Sequence, residues 1–226
     1  MRLMFPALAA ALALSTGCMD SVSRLNPIGG SDPVAQQVDM MKSNAMVPYV
    51  TPFHANPKVG QYAVYKDGMG ETWYGIVGGS AGAWEVEKRS PIAGSDKKLT
   101  TLMVVDDKGN VKKAFAGPYV ADAKEPAAAT EVKVMEKPKD QPATAAVKGP
   151  EPTWSKDKIE GEEVDKMTLD KTQMWMSPKA YFASYLAVEK PDPRGGAIRT
   201  SYDGKVVSER VKQGEGETKP SIVVAK

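Results

Sequence analysis

The sequence predicts an α+β fold: a mostly antiparallel sheet packed on one or two helices, preceded by an N-terminal signal segment. Three observations point there. From Lys58 onward the chain is cut into short runs of β-favouring residues, with turns rich in Gly and Asp between them. Apolar residues recur at helical spacing after Ser31 and again after Pro178. Several strand runs are apolar on both faces, as in Leu99, Leu102, Met103, Val104 and Val105, so each face must be covered by something.

The N-terminal segment carries Arg2 and then twelve residues, Leu3 to Leu14, that are apolar apart from Pro6. This is the layout of a secretory signal, and it is too short for a bilayer that needs about 20 apolar residues. Leu14-Ser15-Thr16-Gly17-Cys18 follows, and Cys18 is the only cysteine. These five residues resemble the lipobox of bacterial lipoproteins, with one departure: the leucine stands four residues before the cysteine, where three is commoner. The resemblance implies that residues 1–17 are a signal peptide and that Cys18 is the lipid attachment site. Its thiol would carry diacylglycerol and its new amine an acyl group such as palmitate. Two or three such chains anchor stably where one holds only marginally. The implied partner is thus a membrane, and the implied place the cell envelope. Met19 stands where an aspartate would signal inner-membrane retention in enteric-type bacteria, which favours the outer membrane, facing the periplasm. The alternative is ordinary secretion with Cys18 as a free thiol, open to intermolecular disulfides.

Residues 18–30 are rich in Ser, Asn and Gly without a sustained period and read as a flexible tether. Residues 31–211 read as a single domain. A helix is predicted from Ser31 to Met46, with Ser31 as its cap, Asp32 and Pro33 in the first turn, and Val34, Val38, Met41 and Ala45 on one face. Asn44 and Pro48 mark its end. Strands follow at Gln61 to Lys66, Glu71 to Val77 and Ala83 to Lys88. The last of these alternates Trp84 and Val86 against Glu85 and Glu87, one face buried and one wet. Leu99 to Val105 and Val111 to Phe115 make a hairpin around Asp106-Asp107-Lys108-Gly109-Asn110. Residues 121–152, dominated by Ala, Pro, Lys and Glu, read as a mobile low-complexity insertion. Strand texture returns at Met167 to Met176, and Pro178 opens a short helix through Tyr181, Phe182, Tyr185 and Leu186 to Ala187. Ala197 to Tyr202 and Lys205 to Val211 form a hairpin around Asp203-Gly204, a type I′ turn signal. Residues 212–226 read as a disordered tail.

Pro57-Lys58-Val59-Gly60-Gln61-Tyr62 with Tyr65, then Trp73-Tyr74-Gly75-Ile76-Val77-Gly78 and Trp84-Glu85-Val86, resemble the opening of a group of bacterial lipoproteins of unassigned function. The likeness resumes at Trp175-Met176-Ser177-Pro178 and at Gly195-Gly196-Ala197-Ile198, covering about half the chain with no catalytic motif. Those proteins are similar in outline to the LolA and LolB lipoprotein carriers. The resemblance implies that the sheet is curved, an unclosed barrel wrapped part-way round helices that line an apolar cavity. The low-complexity insertion departs from the carriers.

Composition narrows the function. Lys+Arg total 30 and Asp+Glu 28, and removal of Arg2 with the signal leaves 29 against 28. So near a balance argues against nucleic acid as a partner. His54 is the only histidine, so a metal site would rest on carboxylates alone; its proline-rich surroundings make it a loop residue. A Ser-His-Asp arrangement survives by counting, but no serine stands in a G-x-S-x-G elbow. Asp106-Asp107, Glu162-Glu163 and the Glu85/Glu87 pair read as solvated surface. Gly78 to Gly82 does not match a phosphate loop. No cofactor is implied and enzyme activity is not expected. Trp73, Trp84, Met103, Met174, Trp175 and Met176 form a set of large, adaptable apolar residues on strands. They would suit a lipid or acyl chain as ligand, or simply form core. Two functions follow: a lipoprotein that binds an apolar ligand, or a structural or assembly lipoprotein that docks onto an envelope protein complex. A continuous apolar cavity favours the first and a filled core the second.

Overall fold

The computed structural model describes residues 32–51, 53, 56–137, 151–182, 185–187, 190–216 and 219–224. The signal segment, Cys18, the tether and His54 lie outside them. One short helix, α1 (Pro33–Ser43), precedes β1 (Gln61–Asp67), β2 (Gly70–Ser80), β3 (Ala83–Pro91), β4 (Lys98–Val105), β5 (Val111–Tyr119) and β6 (Ala127–Val132). Then come β7 (Thr153–Ile159), β8 (Glu162–Leu169), β9 (Thr172–Ser177), β10 (Tyr185–Ala187), β11 (Lys190–Pro191), β12 (Gly196–Tyr202), β13 (Lys205–Glu215) and β14 (Ile222–Val224).

Twelve strands join in one curved, unclosed sheet in the order β14-β6-β5-β4-β3-β2-β1-β13-β12-β9-β8-β7. Every pairing in it is antiparallel except β14 with β6. The expected mostly antiparallel sheet is present; strand dominates, and of the one or two helices expected, one packs on it among the described residues. β13 sits mid-sheet and joins a first meander, β1 to β6, to a second made of β7, β8, β9 and β12.

Helix α1 is shorter than the predicted span. Asp32 caps it, its Oδ1 accepting from Val34 N at 2.9 Å, and Pro33 opens the first turn. Asn44 is extended at φ −116°, ψ 141°, and ends it. Val34 and Met41 are the buried contacts.

The helix predicted from Pro178 does not form. Ala180 N donates to Ser177 O at 3.2 Å, a single turn; Tyr185–Ala187 is instead the strand β10, paired with β11. A short aromatic run reads alike for either state. Here Tyr181 and Phe182 both pack on the core from a loop. That loop lies so close to β12 that a Cβ on Gly196 would sit 1.8 Å from Phe182 O.

Two further expectations are corrected. Within the segment read as an insertion, Ala127–Val132 is β6, paired with β5, and Val132 reaches the main core; 138–150 lie outside the described residues. In the segment read as a tail, β13 runs on to Glu215 and β14 pairs in parallel with β6, with Ile222 fully buried. The Asp203-Gly204 hairpin stands as predicted: both residues have positive φ, 50° and 76°, as a type I′ turn demands. Glu160-Gly161, with φ of 51° and 82°, does the same for the β7–β8 hairpin, which the pattern alone did not suggest.

Alternation along the first meander builds two cores. Ile76, Val86, Met103, Val105 and Ala114 face α1, with Phe53 and Phe182, while Val77, Leu102 and Phe115 pack on the opposite face under Ile222. The second meander does likewise: Val164, Trp175, Ala180 and Ile198 form one cluster, Met167, Met174 and Met176 another.

Candidate functional site

The six residues singled out for an apolar site do not converge. Met103 is buried in the main core, and Trp84 packs against it, 6.3 Å ring to ring from Phe53. Trp73 leaves the opposite face of β2, beside the cluster of Val77, Leu102 and Phe115. Met174 and Met176 lie with Met167, Trp154 and Leu169; Trp175, between them in sequence, points the other way to Val164 and Ile198. Trp84 shares a cluster with Met103, and Met174 with Met176, so the six fall into four clusters. Two of the indole nitrogens find acceptors: Trp84 Nε1 donates to Asp107 Oδ1 at 2.8 Å and Trp175 Nε1 to Asp157 Oδ2 at 2.8 Å.

Charge lines two hollows of the sheet. One, of about 450 Å³, is walled by Lys156, Asp157, Lys158 and Glu163 on the open β7–β8 edge. The other, of about 150 Å³, is walled by Val64, Glu71, Trp73, Arg89, Lys98 and Tyr119. In the second, the Arg89 guanidinium lies 4.0 Å from the Trp73 ring centre and 4.8 Å from that of Tyr119, a cation held between two π faces.

Arg89 belongs to a buried polar network that sequence reasoning missed. Glu87, expected to be wet, is fully buried. It accepts from Arg89 Nε, from Ser221 N at 2.7 Å and from Ser221 Oγ at 2.7 Å. Ser221 Oγ also lies 3.0 Å from Thr100 Oγ1, and Arg89 Nη2 reaches Lys219 O at 3.5 Å. A buried carboxylate is tolerated when its oxygens are filled this way. The lock straps residues 219–224 across the outer face of β3, β4 and β5. No local signal could have found it, since Ser221 lies 134 residues from Glu87.

The other acidic pairs are structural too. Glu162 accepts from Ser177 Oγ and from Arg210 Nη2, tying β8 to β9 and β13. Arg210 also helps to offset the burial that pushes the Tyr65 hydroxyl up to about 12. Asp107 Oδ1 holds Gly82 N at 2.9 Å as well as Trp84, clamping two neighbouring turns together. Asp106 closes its own turn: it accepts from Lys108 N, Asn110 N and Asn110 Nδ2 and pairs with Lys112 Nζ at 2.8 Å. Desolvation alone would raise its pKa, but Lys112, Asn110 and the turn amides outweigh it and hold the carboxyl at about 2. Because the folded pKa lies below the ordinary 3.8, the stabilisation is complete above about pH 4 and is lost as the pH falls toward about 2. Asp106→Ala should therefore lower the unfolding free energy by about 1–2 kcal/mol at neutral pH. Urea midpoints of variant and wild type should draw together through that acid window.

No group of three His, Cys, Asp or Glu residues that could hold a metal occurs among the described residues, and no described helix is long and apolar enough to cross a membrane. No protein-family model matches the chain, and no curated protein matches it.

Proposed function

We propose that the chain is an acyl-anchored envelope lipoprotein, non-catalytic, whose sheet is a docking module for an envelope protein complex. The lipobox-like run ending at Cys18 supports the anchor. One observation carries the docking half: the large apolar residues that could have lined a ligand cavity divide among four separate packing clusters, and the two hollows described above are lined by charge rather than by those residues. A filled sheet offers its surface rather than its interior. Its β7 edge, seven residues long, has no strand on its outer side among the described residues and can take an extended partner segment. Lys156 and Lys158 on that edge guard it against its own kind.

The test is binding of a fluorescent fatty acid to the delipidated protein. No saturable binding is expected, and Trp84→Leu should cost a few kcal/mol of stability by leaving unfilled volume beside Phe53. Saturable binding that unlabelled lipid competes away would overturn the docking reading in favour of an apolar-ligand carrier.

A further inference from the structure

One end of the sheet gathers the turns β1–β2, β3–β4, β5–β6, β8–β9 and β12–β13. The registers place them together: Asp67 pairs with Gly70 and Ser208, Pro91 with Lys98, Lys98 with Tyr119, and Tyr202 with both Lys205 and Thr172. Nine large apolar side chains are exposed among the described residues, and five of them, Met69, Val120, Tyr202, Val206 and Val207, lie on this rim. Tyr202 and Val206 are each 55% exposed, although β12 and β13 both have neighbours on either side. Toward the opposite end only Val59 and Met46 of the nine are exposed, Met46 preceding the Val47 bridge to Val134. Met69, Tyr202, Val206 and Val207 sit on adjoining strands or their turns, and Val120 lies further along the arc.

The same rim is where the described chain begins. Asp32 is held there by Lys97 Nζ, 3.2 Å from its Oδ2, in the β3–β4 turn. Between Cys18 and this point run the fourteen residues 18–31, which at full extension span no more than about 50 Å. The eleven-residue strands β2 and β13 are each roughly 36 Å long at about 3.3 Å per residue, so the far end stands off by that much more.

We infer that this rim is the membrane-facing surface of the protein, its apolar side chains seated at the interface of the bilayer that holds the acyl anchor. The inference rests on the lipoprotein reading above. The rim has no excess of positive charge to draw anionic lipid: Lys171 pairs with Asp203 and Lys97 with Asp32, and Asp67, Asp96, Asp122, Glu125 and Asp170 stand in the same turns as Lys66, Lys98, Lys124 and Lys205. Contact is therefore apolar and insensitive to salt, and the anchor supplies the local concentration that makes so small a patch sufficient. The β7–β8 turn, at the far end, is left facing away from the lipid.

The experiment uses the full acylated chain in phosphatidylethanolamine and phosphatidylglycerol vesicles, with an environment-sensitive fluorophore on a cysteine introduced by Val206→Cys or, as a control at the far end, Lys158→Cys. The chain should float with the vesicles. Spin-labelled lipid should quench the probe at 206 several-fold more than that at 158, equally at low and high salt. With the probe at Met69→Cys, the further changes Val206→Asp and Val207→Asp should abolish quenching and leave flotation unchanged. Flotation with equal quenching at both ends would overturn the rim assignment and leave the anchor standing. Failure to float would overturn the lipoprotein reading and the rim assignment with it. A blue-shift at 206 without vesicles that grows with protein concentration would assign the rim to a second copy and overturn the membrane assignment.

Discussion

Truncation after Gly216 should lower the unfolding free energy by about 3–6 kcal/mol. Ile222 would lose a burial worth about 1.5–3 kcal/mol, and Glu87 would lose two charge-assisted hydrogen bonds from Ser221, about 1.5–3 kcal/mol more. A domain of this size commonly has about 5–15 kcal/mol in total, so a fifth or more would go. Single substitutions should divide the loss. Ile222→Asp should approach the truncation, because it sets a charge against Val77, Leu102 and Phe115. Ser221→Ala, which keeps the backbone donor, should cost about 1 kcal/mol. Chemical denaturation followed through Trp73 and its neighbours measures all three. A truncated chain with an unchanged midpoint would show that the strap does not hold the outer face.

Cys18→Ala should abolish acylation altogether. No other residue of the chain can take a thioether-linked diacylglycerol, so metabolic labelling with palmitate should fall to background and the protein should leave the membrane fraction or stay uncleaved. The loss of membrane affinity is large because each buried methylene of an acyl chain contributes about 0.8 kcal/mol. Equal labelling of variant and wild type would sink the lipoprotein reading. Fractionation of the wild type with the inner membrane would correct the sorting drawn from Met19.

How much of this was legible in the sequence depended on how far each signal had to reach. The Asp203-Gly204 hairpin was readable because turn and strands are contiguous and only residues tolerant of positive φ fit both central positions. Helix α1 was readable from its 3.6-residue stripe, though its cap moved to Asp32. Glu160-Gly161 carries the same turn chemistry as Asp203-Gly204, but Lys156, Asp157 and Lys158 gave the flanking run no apolar alternation to go with it. β6, mostly alanine, has too few β-favouring residues to declare itself, and β14, though all β-branched, is only three residues long. β6 gains its place from backbone pairing on both sides, and β14 from pairing with β6 and the burial of Ile222. For the candidate site, residue type was legible but grouping was not. Trp175 differs from Met174 and Met176 only in parity, and parity sends it to the other face. Glu87 obeyed its alternation with Val86; the strap that covers its face comes from a segment too far away for any periodicity to report.

The position of β13 bears on the order in which the chain can fold. Apart from the β9–β12 pairing, whose connection runs over residues 178–195, each meander is stitched from sequence-adjacent hairpins that can form early. The seam between the meanders is not: Gln61 must find Glu215, and Asp67 must find Ser208, across nearly the whole length of the domain. Loop closure over such a distance is an entropic barrier that is crossed before any reward arrives, so zipping of β1 to β13 sets the slow step. The irregularity between Val64 and Tyr65, where the register to β13 shifts, sits in that seam. Changes there would alter the rate at which the protein matures, while changes within either meander would be felt mainly in how fast it comes apart.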